Sequence, residues 1–346
     1  MRKKNVNKEI IDAYRFSYRA RKVDEKAIIL YKQSKAHFQI GCAGHEMIQV
    51  AAAQSLISGK DWSYPYYRDM AFVIAMGMTN KELFLNILNK AEDPNSGGRM
   101  MPMHYGHKAL KIVNQSSPTG TQFLQAVGAA KAAVYKKSKE VVYVSSGEGT
   151  TAQGAYFEAI NWAAREKLPV VFVVQNNHFA ISVHISEHFA GANVAQLARG
   201  FTGLDVVEVN GLDYFASKRV MNKATERARA GRGPSLIVAD VIRLQSHSIS
   251  DNQTKYRHAK DLENDKKNDP LIKFEKELIK RKILDRKQIN LIKSEIEAEI
   301  NLDAIWAEEQ ANPQPETAEN FVYENSTPDT SFIESLPPEA KDEDKV

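Results

Sequence analysis

A carboxylate and a carboxamide, each just past an apolar run, are the most chemically pointed residues of this chain. Ser145-Ser146-Gly147-Glu148-Gly149 closes one run, and Asn176-Asn177-His178-Phe179-Ala180-Ile181-Ser182 closes the next. Residues 150–175, 26 in all, separate Gly149 from Asn176. That is room for one crossover helix and one strand. Ligands of open parallel α/β sheets bind beyond the carboxyl ends of the strands, so both side chains are expected at one edge. Gly147 and Gly149 suggest a sharp turn and a close approach of the backbone to a bulky ligand. The free N–H groups of the following helix would suit an anion. A carboxylate oxygen, an amide oxygen and a backbone carbonyl are hard ligands, and Mg2+ takes such oxygens in octahedral array while sharing them with phosphates. The expected site is therefore a protein–Mg2+–diphosphate sandwich. Gly-x-Gly alone would read as a strand-end turn; Glu148, Asn177 and the strand–helix–strand order together favour the metal.

The scaffold that must position these groups reads as a parallel α/β sheet covered on both faces. Glu140–Ser145, Pro169–Val174, Leu204–Val209 and Pro234–Val241 are largely apolar strand candidates. They alternate with helix candidates at Gln122–Lys136, Gln153–Arg165 and Asp213–Ala230, the pattern of strands buried on both faces. Ahead of them, Glu9–Gln33 has helical apolar spacing and Ala43–Ile57 is a second helix candidate. Thr79-Asn80-Lys81-Glu82 is a capping box that starts a helix over Leu83–Leu88. Asp93–Asn114 and Leu244–Asn268 read as long loops, which in compact domains are usually functional or disordered. Helices around Leu271–Lys280 and Arg286–Glu309 close a domain over residues 1–312. Residues 313–346 form an acidic, Pro-containing tail or linker that is expected to be extended or disordered, with Phe321-Val322-Tyr323 able to dock one patch.

Composition removes several function classes. Among the 346 residues, 47 are Lys or Arg and 43 are Asp or Glu, with the excess spread along the chain; a nucleic-acid binder would gather it on one segment. No apolar run approaches the ~18–20 residues that span a bilayer, and polar residues follow the basic N-terminus where a signal peptide needs an apolar stretch. A cytoplasmic protein with no membrane partner is the expectation. Cys42 is the sole cysteine, so an intramolecular disulfide and a Cys-based zinc site are excluded. The P-loop pattern of nucleotide enzymes is absent from the sequence.

The remaining motifs have bland readings of their own. Arg68 in Tyr66-Tyr67-Arg68-Asp69 could be a cation–π surface decoration. The Met-rich run Arg99–Gly106 could simply fill irregular gaps, with His104 in a structural role. Hydroxyl groups in Ser116-Ser117-Pro118-Thr119-Gly120-Thr121-Gln122 could be N-caps. His247, in Arg243-Leu244-Gln245-Ser246-His247-Ser248, could be an ordinary surface histidine.

Taken together, the segment from Gly147 to Ser182 resembles the thiamine diphosphate motif of the α subunit of 2-oxoacid dehydrogenase E1 components, most closely the branched-chain (2-oxoisovalerate) type. The resemblance runs from about Phe38 to Arg257. Glu148 stands where the family usually has Asp, as in its branched-chain members, and Phe179 often stands as Tyr, of which only the carbonyl is needed. The resemblance implies Mg2+ ligation by Glu148, Asn177 and the Phe179 carbonyl. It implies cofactor contacts from Tyr66, Tyr67, Arg68, Ser117, Thr119, Gly147, Glu148, Gly149, Thr150, Asn177, Phe179, Ile181, Arg243 and His247. Arg68 would grip the diphosphate as a charge-assisted fork. His247 would hydrogen-bond a phosphate or the intermediate and serve proton transfer near neutral pH. Asp251, Tyr256 and Arg257 would keep its loop ordered, and a phosphate at Ser248, the position modified in mitochondrial relatives, would repel the cofactor. Ser116, Thr121 and Gln122 match a structural potassium site of some relatives.

By the same resemblance the cofactor carries the decarboxylation chemistry and the acyl group passes to the lipoyl domain of an E2 core. This chain supplies only the diphosphate and metal half. An E1 β subunit in an α2β2 heterotetramer, or a fused β half, must complete the site. The expected substrate is a branched-chain 2-oxo acid, with Phe38, Ile40 and Tyr67 as pocket candidates. Pyruvate or acetoin is the alternative within the same chemistry, and a cofactor-free scaffold subunit is the alternative of another class.

Overall fold

The structure, a computed structural model, describes residues 2–191 and 193–321. Its centre is a five-stranded, wholly parallel sheet. The strands are β1 (Trp62–Tyr64), β2 (Val142–Gly147), β3 (Val170–Asn176), β6 (Asp205–Asn210) and β7 (Ser235–Asp240), in the order β1-β2-β3-β7-β6. A separate antiparallel pair, β4 (Phe179–Ala180) and β5 (Val183–His184), follows β3.

Because strand side chains alternate between faces, the continuous Val-rich runs feed two cores at once. Val142, Val144, Val170, Phe172 and Leu236 pack against Phe123, Ala126, Tyr156 and Ile160 of the helices Thr121–Tyr135 and Gly154–Glu166. Their neighbours Tyr143, Val171, Val173 and Ile237 pack on the other face against Met47, Val50, Phe72 and Met221. Phe72 stacks on Tyr143 with ring centroids 4.3 Å apart. Each large apolar side chain so buried contributes roughly 1.5–3 kcal/mol.

The flanks follow the expected periodicity. In the helix Arg2–Lys32, Ile10, Tyr14, Tyr18, Val23, Ala27 and Leu30 are buried. Tyr14 and Tyr18 donate to Glu275 and Glu297 of the closing helices. The capping box at Thr79 is formed in both directions, and the helix runs Asn80–Ile87. Lys90, 9% exposed, donates to the carbonyls of Glu308 and Gln310 and to Asn312 Oδ1, so it caps the last turns of the helix Arg286–Glu308.

Several elements differ from the sequence expectations. β1 and the helix Met70–Met76 were not expected. The helix expected over Ala43–Ile57 is confined to Glu46–Ala53. The second long loop contains the helix Ala259–Lys267. The helix expected at Gln153–Arg165 is present as Gly154–Glu166, but an unexpected 3-10 turn, Glu148–Ala152, stands between it and β2. The start of the expected tail is not extended: Pro315–Glu319 is a 3-10 turn, and Phe321 lies under the Arg99 guanidinium. Val322, Tyr323 and the rest of that segment fall outside the described residues. No helix among the described residues is long and apolar enough to cross a membrane.

Candidate functional site

The parallel pairing of β2 with β3 sets the site. Gly147 stands beside Gln175 in the register, so Glu148 and Asn177, each just past the end of its strand, leave the sheet at the same edge. There the Asn177 N–H donates to Glu148 Oε2 at 3.2 Å. Glu148 is 1% and Asn177 7% exposed. The second carboxylate oxygen, Glu148 Oε1, has no hydrogen-bond partner, and burial pushes the carboxyl pKa up. A buried anionic oxygen without a donor is a costly arrangement that a cation would relieve. No three His, Cys, Asp or Glu side chains converge as a metal cluster among the described residues. An ion at Glu148 would therefore draw its other ligands from amide, carbonyl and ligand oxygens, the set that suits Mg2+.

Both residues open onto a cavity of about 370 Å3. Thirteen of the fourteen sequence-expected cofactor residues line it: Tyr66, Tyr67, Arg68, Ser117, Thr119, Gly147, Glu148, Gly149, Thr150, Asn177, Phe179, Ile181 and His247. The pocket candidates Phe38 and Ile40 line it too, with Met101, His104 and Gln115 from the loops. Arg243 does not. Its guanidinium lies behind the wall, donating to the Ile181 carbonyl at 3.0 Å and to Tyr256 Oη at 2.7 Å. It thus holds Ile181, a β-branched residue at φ 57°, a strained conformation for its type.

The glycines serve differently from the expectation, for neither has a positive φ. Gly149 is required by packing, since a Cβ there would come within 2.6 Å of Ala180 Cβ. Gly147 is extended (φ −79°, ψ 166°), and a Cβ on it would meet only Tyr66, at 3.9 Å. The protein's own packing leaves that space open to a ligand.

Arg68 and His247 form the cationic side. Arg68 Nη1 donates to the Gly41 carbonyl at 2.6 Å and Nη2 to the His247 carbonyl at 3.3 Å, while Nε has no partner. His247 Nδ1 lies 3.4 Å from Arg68 Nη2. Burial first, then Arg68 and Arg243, hold the His247 pKa down to about 3. In the ligand-free protein these three influences favour the neutral ring. Its loop is anchored as expected, the His247 N–H and the Tyr256 hydroxyl both donating to Asp251 Oδ2. Arg257 bonds the Arg243 carbonyl and Asp265.

His104 Nε2 pairs with Ser117 Oγ at 2.8 Å, and His104 Nδ1 with the Met101 carbonyl at 3.0 Å. Since a carbonyl only accepts, Nδ1 carries the proton and Nε2 accepts from the hydroxyl. At the expected potassium residues, Gln122 already accepts from the Gly120 N–H and donates to the Ser145 carbonyl. Thr121 Oγ1 donates to the Pro118 carbonyl. Neither they nor Ser116 line the cavity.

A buried polar network beneath the site escaped the sequence reading. Gln175 Nε2 donates to Asp69 Oδ1 at 2.6 Å, and Gln175 Oε1 accepts from Gln49 Nε2 at 2.9 Å and lies 2.9 Å from His45 Nδ1. Asp69 also accepts from Ser145 Oγ, and Gln49 donates to the Arg68 carbonyl. Burial raises the Asp69 pKa to about 6 against these bonds and lowers that of His45 to about 3. The signal was available: Gln175 directly continues the apolar run of a central strand, where it is buried, and buried amides must be hydrogen-bonded.

Comparisons with known proteins identify relatives of the chain. A family model described as "Dehydrogenase E1 component" matches residues 14–316. The chain is 41% identical to a 2-oxoisovalerate dehydrogenase subunit alpha of Bacillus subtilis over 318 residues, 92% of this chain and 96% of the relative. It is 33% identical to a 3-methyl-2-oxobutanoate dehydrogenase subunit alpha of Mycobacterium tuberculosis, covering 73% of this chain and 66% of that one. Identity to a pyruvate dehydrogenase E1 component subunit alpha of Staphylococcus aureus is 32%, covering 80% of this chain and 72% of that one.

Proposed function

The chain belongs to the dehydrogenase E1 component family, and from that premise we propose that it is the α subunit of a branched-chain 2-oxo acid dehydrogenase. It holds thiamine diphosphate through Mg2+ and works in the cytoplasm with a β subunit, as an α2β2 heterotetramer, passing acyl groups to an E2 lipoyl domain. The observation that carries the reading is the meeting of Glu148 and Asn177 at one sheet edge, with Glu148 Oε1 unpartnered in a cavity that Arg68 also lines. The names and identities of the relatives support the branched-chain over the pyruvate or acetoin alternative. The retention of Glu148, Asn177, Arg68 and His247 speaks against a cofactor-free scaffold.

When bound, thiamine diphosphate supplies the carbanion that adds to the 2-oxo carbon and the electron sink for loss of CO2. The chain's own residues do the rest. Glu148, Asn177 and the Phe179 carbonyl hold the ion, and the free Arg68 Nε, with Gly147, Gly149 and Thr150, receives the diphosphate. His247 Nδ1 faces a guanidinium N–H, so Nδ1 accepts and the proton sits at Nε2, ready for donation to an anion. The Ser117 hydroxyl donates to His104 Nε2 and keeps its lone pairs free for the cavity. Phe38, Ile40 and Met101 keep water from the acyl chain.

The test is calorimetric titration of the α–β complex with thiamine diphosphate, with and without Mg2+, followed by turnover on a panel of 2-oxo acids. Mg2+-dependent binding and preference for 3-methyl-2-oxobutanoate or 4-methyl-2-oxopentanoate are expected. Absent binding would restore the scaffold reading, and preference for pyruvate would move the substrate.

A further inference from the structure

One polar group on the cavity wall is not explained by the contacts described so far. Gln115 is 2% exposed, lines the cavity, and its amide oxygen has no hydrogen-bond partner. Buried side-chain polar atoms are nearly always satisfied, and an unsatisfied one is a standing cost unless a ligand meets it. The local backbone explains the direction of the side chain. Residues 113–116 form no helix or turn, and in an extended stretch alternate residues share a face. Accordingly Gln115 and Ser117 both line the cavity and Ser116 does not.

Chemistry selects what meets the amide. A carboxamide presents an acceptor and a donor side by side, and rotating it by a half-turn exchanges the two without changing that demand. A diphosphate and a dissociated 2-oxo acid offer acceptors only, and a thiazolium ring offers neither. An aminopyrimidine offers an amino donor next to a ring-nitrogen acceptor, the same kind of donor–acceptor pair that glutamine reads on adenine. We infer that the Gln115 carboxamide recognises the aminopyrimidine ring of the cofactor, accepting a hydrogen bond from its amino group. The inference rests on the thiamine diphosphate reading above and adds a side-chain contact that neither the sequence motifs nor the relatives' names assign.

The test compares wild-type and Gln115→Leu α subunits, each assembled with the β subunit and Mg2+. Two ligands are titrated calorimetrically, thiamine diphosphate and its 4′-deamino analogue, and the melting temperature of the ligand-free protein is measured. Gln115→Leu should weaken thiamine diphosphate by roughly tenfold, the effect of one hydrogen bond. It should leave the deamino analogue nearly unchanged, so that the ratio between the two ligands collapses. The ligand-free melting temperature should hold or rise, because leucine removes a buried group that nothing satisfies. Equal losses for both ligands, unchanged affinity for both, a shift confined to the KM of the 2-oxo acid, or a lower melting temperature would each overturn the inference. If the wild-type complex binds neither ligand, the cofactor reading itself has failed; binding by the wild type with no effect of the substitution sinks only the Gln115 contact.

Discussion

Glutamine at position 148 keeps the size of the native side chain and removes its charge, so Glu148→Gln separates the residue's effect on the fold from its effect on the ion. In the ligand-free protein the carboxylate accepts one hydrogen bond, from the Asn177 N–H, and leaves Oε1 unmet in a site that is 1% exposed. An amide oxygen can keep the first bond. The NH2 then takes the unmet place as a neutral group, whose burial is less unfavourable than that of an anion. The ligand-free variant should gain about 1 kcal/mol, or about 2–4 °C in melting temperature. The sign with pH follows from the raised carboxyl pKa. Between its ordinary value and the folded one the native state binds more protons than the unfolded chain, so wild-type stability falls as pH rises through that window. The advantage of the variant should accordingly vanish at acid pH and be complete above the folded value. With Mg2+ the order inverts. Loss of an outer-shell partner alone costs about 10–100-fold in metal affinity, so loss of the charged ligand should exceed about 100-fold. Differential scanning fluorimetry from pH 4 to 8, with and without Mg2+ and thiamine diphosphate, reads both effects. A variant that keeps wild-type Mg2+-dependent stabilisation, or is destabilised in the ligand-free state, would refute the reasoning.

Three further outcomes are expected. The His247 ring, held at about 3 by burial and by Arg68 and Arg243, should stay neutral from pH 5 to 8 by NMR in the ligand-free protein; diphosphate offsets those guanidinium charges, so its pKa should rise on loading, and an unchanged value would remove the phosphate contact. Gly149→Ala places a Cβ 2.6 Å from Ala180 Cβ and should cost about 1–3 kcal/mol by overpacking, measured by urea unfolding, together with weaker cofactor binding as β4 shifts. Lys90→Met breaks three bonds that cap the closing helix and should lower stability by about 2 kcal/mol while leaving cofactor affinity unchanged.

What the sequence showed and what it hid divide along physical lines. Strands such as Val170–Asn176 are legible because burial on both faces demands an unbroken apolar run. The capping box at Thr79 is legible because its signal is local. β1 is three residues long and gains its identity only by pairing with Val142–Val144 about 80 positions later. The helix Met70–Met76 is apolar nearly all round and so carries no amphipathic period. That the Arg243 guanidinium bonds Ile181 and Tyr256 behind the cavity wall was not legible, because type and motif give a residue's neighbourhood but not the wall on which its head lands. Spacing also could not reveal that Gly149 answers to Ala180 rather than to a turn. The network joining His45, Gln49, Asp69, Ser145 and Gln175 draws on five positions that only the folded sheet brings together.

The most direct measurement is a crystal structure of the α–β complex grown with thiamine diphosphate and Mn2+ in place of Mg2+, with data collected for manganese anomalous scattering. A single strong anomalous peak within coordination distance of Glu148 Oε1, Asn177 Oδ1 and two phosphate oxygens is the predicted result. Manganese bound elsewhere, or phosphates seated away from the carboxyl ends of β2 and β3, would contradict it.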